Sequence, residues 1–261
     1  RIIDLEKFFN SIKENVYLIE RKLNHTFKEV VLILDNFNHA FISLTGFKKL
    51  NGTQVTRENI TYILNMLKAH IEEKETNKNI LHIFNSKFEL DSKKIENLPI
   101  GLFGDLYSHE LSFTLINLND YKNLKEVFNK CNLKIKKVLS KSFIKGVHLS
   151  EENKNIETFF QIKTNNDNSK IFFFENNSLK YEQNFKFGID IIEKDISKIT
   201  CLKVSTVKKI LGKVQFTKDF PKDELIEEEF FIDDTYRKIK KGLVYDIASA
   251  RIQEILDLIL F

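Results

Sequence analysis

Between Leu81 and Val138 the chain carries four pieces in fixed order: Leu81-His82-Ile83, Leu98-Pro99-Ile100-Gly101-Leu102-Phe103-Gly104, the run Tyr107 to Leu115, and Cys131-Asn132-Leu133-Lys134-Ile135. In the third piece Tyr107, His109, Leu111, Phe113 and Leu115 alternate with Ser108, Glu110, Ser112 and Thr114, the period-two pattern of a strand with one buried face. Tyr121, Leu124, Val127, Phe128 and Cys131 then recur at helical spacing, which puts Cys131 on an apolar helix face as a core residue. Upstream, Thr56 can cap a helix whose apolar face is Ile60, Ile63, Leu64, Leu67 and Ile71, and Phe41 to Leu44 reads as a strand. Residues 40 to 140 thus predict a compact α+β unit with its own core.

Outward from that unit, Asp4 can cap a first helix carrying Leu5, Phe8, Phe9, Ile12, Val16, Ile19 and Leu23. Glu29 to Leu34 reads as a short buried strand that Asn36-Phe37-Asn38 breaks. After Lys141 the pattern changes to three strand candidates: Thr158 to Ile162, Lys170 to Phe174 and Leu179 to Phe187. Asn176-Asn177-Ser178 suits a tight hairpin. Helices follow at Ile189, Ile192, Ile196 and Ile199 and at Val207 to Leu211. A last helix is expected to start near Asp234 and to keep its apolar spacing to Phe261, with Gly242 inside it at a cost of about 1 kcal/mol relative to Ala.

Composition narrows the classes. The 261 residues are 42% hydrophobic and 30% charged, as in ordinary globular domains, and no apolar run approaches the roughly 18 residues of a membrane span. A net charge of +4, mixed along the chain and carried mainly by Lys, gives no footprint for nucleic acid. Cys131 and Cys201 lie far apart, no two histidines are spaced i, i+4, and neither set has metal-ligand spacing. Isolated thiols suit a reducing cytoplasm. No GxSxG, P-loop or HExxH is present, and Asp223, Glu224 and Glu227 to Glu229 read as a solvated charged stretch. A start at Arg1, with no signal peptide or initiator Met, reads as an internal fragment.

The four ordered pieces resemble subdomain 1C of FtsA, the actin-like bacterial division protein that links the FtsZ ring to the membrane. The resemblance implies an α/β, actin-like (ribonuclease H-like) ATPase fold, partial, with an inserted α+β subdomain 1C. It divides the chain into subdomain 1A (1–38 and 141–154), 1C (39–140), 2A (155–187 and 252–261) and 2B (188–251). At the phosphate-binding turn this family reads Asp-Ile-Gly-Gly-Gly-Thr-Thr-Asp; here stands Lys163-Thr164-Asn165-Asn166-Asp167-Asn168-Ser169-Lys170. Both carboxylates have become lysine and the glycines that admit phosphate are gone. The family's paired glycines become Gly188 and Ile189, and its adenosine-side Glu falls on Lys208. Two readings stay open: a pocket that has lost its chemistry, or Lys163 and Lys170 meeting phosphate as point charges. Either way the chain is expected to be a pseudo-ATPase, with ATP and magnesium weakened as cofactors.

Ala250-Arg251-Ile252-Gln253-Glu254-Ile255 is similar to the family turn that binds the acidic C-terminal peptide of FtsZ, and Arg237 is expected four turns earlier on a similar azimuth. The resemblance therefore implies FtsZ-tail binding by Arg251, Glu254 and Arg237, contacts with other FtsA subunits, and divisome proteins held through subdomain 1C. It also implies peripheral attachment to the inner membrane face through a helix beyond Phe261. The rivals are a PilM-like scaffold of a pilus machine and an actin-fold ATP-dependent enzyme.

Overall fold

The computed structural model describes residues 4–35, 37–152, 156–213, 221–231 and 233–260. Asn36, Phe261 and the expected 154/155 boundary lie outside them. The chain divides into two compact units, residues 1–161 with 172–182, and residues 162–171 with 183–261.

In the first unit α1 (Leu5–Leu23) begins at Asp4, whose carboxylate accepts the Lys7 amide at 2.9 Å, and ends on Asn24 in the left-handed region at φ 47°. Strands β1 (Glu29–Leu34) and β6 (Lys134–Ser140) form a two-stranded parallel sheet. A four-stranded antiparallel sheet follows the order β2 (His39–Lys49), β5 (Leu106–Asn117), β3 (Lys78–Leu90), β4 (Lys93–Ile95). Helix α2 (Arg57–Lys74) starts with a reciprocal Thr56–Asn59 capping box. Its Ile63, Leu67 and Ile71 pack with Tyr107, Leu111, Phe113 and Leu115 of β5. The loop before β5 is tied down rather than loose. Val55 N–H donates to Leu102 O and Gly101 N–H to Val55 O, both at 2.9 Å, while Asp91 Oδ1 accepts the amides of Asp105 and Leu106 at 2.8 and 2.9 Å. Those amides hold the Asp91 carboxyl below its ordinary range.

Three expectations change here. Strand β1 is not buried, with Val31 and Ile33 49% and 57% exposed. Strand β5 does not bury a single face: every residue from Leu111 to Ile116 is buried, because β5 is central between β2 and β3 and the chain also covers its second face. Ser112 Oγ there donates to Lys180 O at 3.3 Å. Cys131 is not a core residue of α3 (Leu118–Lys130) but its C-cap, half-buried, and desolvation raises its thiol pKa.

Helix α4 (Lys141–Glu152) precedes the three-stranded sheet β7 (Thr158–Thr164), β8 (Ser169–Glu175), β9 (Ser178–Phe185), and Asn176 and Asn177 take φ 51° and 57° in the hairpin between the last two. Phe172, Phe174 and Leu179 form an aromatic-rich core with Phe84 of β3 and Phe143 of α4.

The second unit contains α5 (Asp190–Thr200), α6 (Val204–Lys213), a 3-10 turn Glu228–Phe230 and α7 (Lys241–Leu260) around Ile196, Val207, Ile210, Ile226 and Val244, all fully buried. The last helix starts at Lys241, not near Asp234. Residues 239 to 242 are paired instead: Ile226 N–H donates to Ile239 O, Lys241 N–H to Glu224 O and Gly242 N–H to Lys222 O, at 2.8–2.9 Å. Gly242 therefore lies in the first helical turn, where a Cβ would stand 2.8 Å from Lys222 O. Tertiary pairing has overridden an apolar spacing that continues by coincidence.

Two histidines of the first unit are held neutral. His82 Nε2 accepts the Ser140 amide at 3.0 Å, and burial, with a smaller contribution from the His39 charge, pushes its pKa down to about 4. His109, 2% exposed, is pushed down to about 4 by burial and, less, by Lys180. Because both folded-state values lie below the ordinary 6.5, the unfolded chain binds more protons, so this stabilisation is complete above pH 6.5 and is lost as pH falls toward 4. Melting followed by circular dichroism is expected to show a falling midpoint across that window, and a shallower fall in His109→Gln.

Candidate functional site

Every residue singled out for nucleotide or peptide binding lies in the second unit. Lys163 is the second-last residue of β7 and Lys170 the second of β8, both half-buried, on either side of the turn Asn165 to Asn168. Asn165 N–H donates to Asn168 O at 2.8 Å, Asn165 Nδ2 to Asn168 Oδ1 at 2.7 Å, and Asn168 Nδ2 to Asp167 Oδ1 at 2.7 Å. Asn165 and Asn168 thus brace the turn from within, as Asn side chains commonly do. Ser169 Oγ is buried without a hydrogen-bond partner.

The turn meets the start of α5. Ile189 N–H donates to Asn165 O and Asp190 N–H to Asn166 O, both at 2.9 Å. Gly188 makes the approach possible: a Cβ there would stand 2.3 Å from Asn165 O and 2.5 Å from Asn166 O. Helix N-termini attract anions because their first amides lack partners, and here two of those amides already hold carbonyl oxygens. Asp190 and Glu193 add negative charge to the same helical turn, with Lys194 bonded to Asp190 at 2.6 Å. Lys208, on α6, lies 3.5 Å from Glu193 Oε2. Among the described residues no group of three or more His, Cys, Asp or Glu is arranged to hold a metal ion. The hairpin and α5 so arranged do not fit a nucleotide phosphate with its magnesium.

Of the expected peptide-binding residues, Arg251 and Glu254 meet on α7, whereas Arg237 is not on that helix. Arg251 projects from α7, its Nε bonded to Asp195 of α5 and its other nitrogen to Glu254 Oε2 at 2.6 Å. These bonds raise its pKa, the one to Asp195 foremost. Arg237 lies in the non-helical segment before α7, so the expected shared azimuth does not exist. Asp234, expected as a helix start, instead accepts Lys203 N–H at 2.9 Å and Thr206 Oγ at 2.6 Å at the beginning of α6. The Thr206 hydroxyl, then the Lys203 amide, keep its carboxyl below the usual range. The acidic run is solvated as read, with Lys240 on Asp223 and Lys241 between Glu224 and Glu227.

The first unit holds a cavity of about 620 Å3 that sequence reasoning missed. Asn85 to Phe88 of β3, residues 94–98 and the β8–β9 turn line it. Lys180 reaches in from β9 and donates to Asn85 O and Ser86 O at 2.6 and 2.8 Å, its pKa lowered mainly by burial. The surrounding Ser178-Leu179-Lys180-Tyr181-Glu182 gave no local signal of its burial.

This chain has an actin-like ATPase fold. Among solved structures it is similar to a chain of the PilM-PilN type IV pilus biogenesis complex, at 9% identity and a TM-score of 0.55, covering 99% of this chain and 63% of that one. Looser likenesses are MreB 5 of Spiroplasma citri bound to AMPPNP (11% identity, TM-score 0.40, covering 56% of this chain and 46% of that) and a Bacteroides thetaiotaomicron protein with an actin-like ATPase fold and unknown function (12%, 0.30, 72% and 60%). The fold assignment rests on the first of these, of which this chain spans 63%. No family model and no curated protein matches the sequence.

Asp234→Ala is expected to lower the urea midpoint, since it removes the acceptor of the Lys203 amide and the Thr206 hydroxyl at the start of α6. Arg251→Ala, which breaks two partly exposed pairs, is expected to cost less than about 1 kcal/mol in the same assay.

Proposed function

We propose that this chain is a non-catalytic, actin-like adaptor that holds segments of partner proteins in an assembly at the membrane. The observation that carries the reading is the β7–β8 turn, where lysines replace the family's carboxylates and backbone carbonyls face α5. Such a scaffold keeps the surfaces of the fold without the chemistry of its pocket. Two forms of adaptor follow. A scaffold of the PilM kind, binding a pilus-assembly protein, is supported by likeness over 99% of the chain. An FtsA-type division adaptor, binding the FtsZ tail and other copies of itself and recruiting divisome proteins through residues 39–140, is supported by the four ordered pieces and the Arg251 turn.

In the second form Arg251 would exchange Asp195 for a carboxylate of the incoming peptide. Both forms would work on the cytoplasmic face. No described helix is long and apolar enough to cross a membrane, so attachment would use a separate anchor.

Titration with a fluorescent FtsZ C-terminal peptide and with peptides tiling a PilN protein decides between them. Micromolar binding of the FtsZ peptide that Arg251→Ala abolishes would establish the division adaptor. Binding of PilN peptides alone would establish the pilus scaffold, and binding of neither would overturn the adaptor. In parallel, Mg-ATP is expected to leave the melting temperature unchanged; a ligand-dependent rise would overturn the pseudo-ATPase reading.

A further inference from the structure

We infer that the β7–β8 turn is a built-in plug on α5: the carbonyl oxygens of Asn165 and Asn166 occupy the two amides through which this junction would otherwise grip an anion. The inference deepens the pseudo-ATPase reading, because it rests on that turn being the counterpart of the family's phosphate turn. The geometry that carries it is local to the second unit. Ile189 and Asp190 each donate at 2.9 Å to a neighbouring carbonyl of the turn, although α5 has no side-chain cap of its own. A helix that begins without a capping side chain must satisfy its first amides some other way. Here the chain supplies two adjacent carbonyls from a turn braced by the Asn165–Asn168 bonds.

Gly188 has a clear task in this arrangement. Its missing side chain leaves the space into which Asn165 O and Asn166 O advance. In a nucleotide-binding junction a glycine admits phosphate oxygens; in this one it admits carbonyl oxygens of the protein itself. Carbonyls carry partial negative charge and accept the same N–H groups, so they substitute for an anion without net charge. The adjoining Asp190 and Glu193 are each held by a lysine, Lys194 and Lys208, so the exclusion rests on the two carbonyls rather than on net charge. The junction is therefore closed by the chain's own carbonyls, and nucleotide arrival or loss does not time its conformation.

Hydrogen exchange of the intact chain, read residue by residue by NMR, tests this. The Ile189 and Asp190 amides are expected to exchange at least about tenfold more slowly than in an unstructured peptide, with no added ligand. Millimolar inorganic phosphate or Mg-ATP should leave both rates unchanged. Gly188→Ala should speed both by about tenfold while the amides of Ile210 and Val244 stay protected. Unprotected amides in the ligand-free protein, or protection that develops only with phosphate or ATP, would overturn the plug, as would a Gly188→Ala protein with unaltered rates. Should that variant not fold, the wild-type comparison with and without phosphate decides alone. A chain that binds no partner peptide yet keeps both amides closed would refute the adaptor and leave the plug standing.

Discussion

The first unit depends on β5. It is paired along its length with β2 on one side and β3 on the other, and from Leu111 to Ile116 it is buried on both faces. Helix α2 takes its register from β5 through Ile63, Leu67 and Ile71. Strand β9 takes its register from the same strand through the bond from Ser112 to Lys180 O. A strand so enclosed leaves no room for slippage, since a shift of one residue would exchange Leu111, Phe113 and Leu115 for Ser112 and Thr114. Buried polar residues then become part of the register. Ser112 meets Ser43 at 3.1 Å, and His109 meets Asn85 at 3.1 Å.

Much of this was legible in the sequence where the pattern was local. Asp4 and Thr56 announced two helix starts, the alternation from Tyr107 marked β5, and Asn176-Asn177 marked a hairpin. What was not legible depends on distant partners. Nothing near Ser112 or Thr114 announces that a second layer covers them. Nothing near Ile239 announces that Ile226 will claim its carbonyl and delay α7 to Lys241. The turn between Lys163 and Lys170 was legible from its Asn and Asp residues, but the meeting of its carbonyls with Ile189 and Asp190 required coordinates. Arg251 was legible as an arginine on a helix; its engagement by Asp195 was not, because Asp195 belongs to another helix.

An actin-like fold at 9% identity illustrates how little of a fold is specified by particular side chains. The second unit keeps a continuous apolar core in Ile196, Val207, Ile210, Ile226 and Val244. Its polar surface is rich in lysine, glutamate and asparagine. Cores tolerate hydrophobic exchange as long as volume and pattern persist, whereas a phosphate site tolerates almost none. The two kinds of residue can therefore diverge at different rates within one chain.

Lys180 has a further meaning at the sheet edge. Strand β3 runs from Lys78 to Leu90, yet β4 covers only Phe88 to Leu90 of its outer side. A long strand with a bare edge is a template on which other chains can stack. Register shifts after Ile80 and Asn85 interrupt that template, and the Lys180 ammonium takes the carbonyls of Asn85 and Ser86. One lysine from β9 thereby closes two backbone acceptors where β3 bulges, so a distant strand completes the hydrogen bonding of this one.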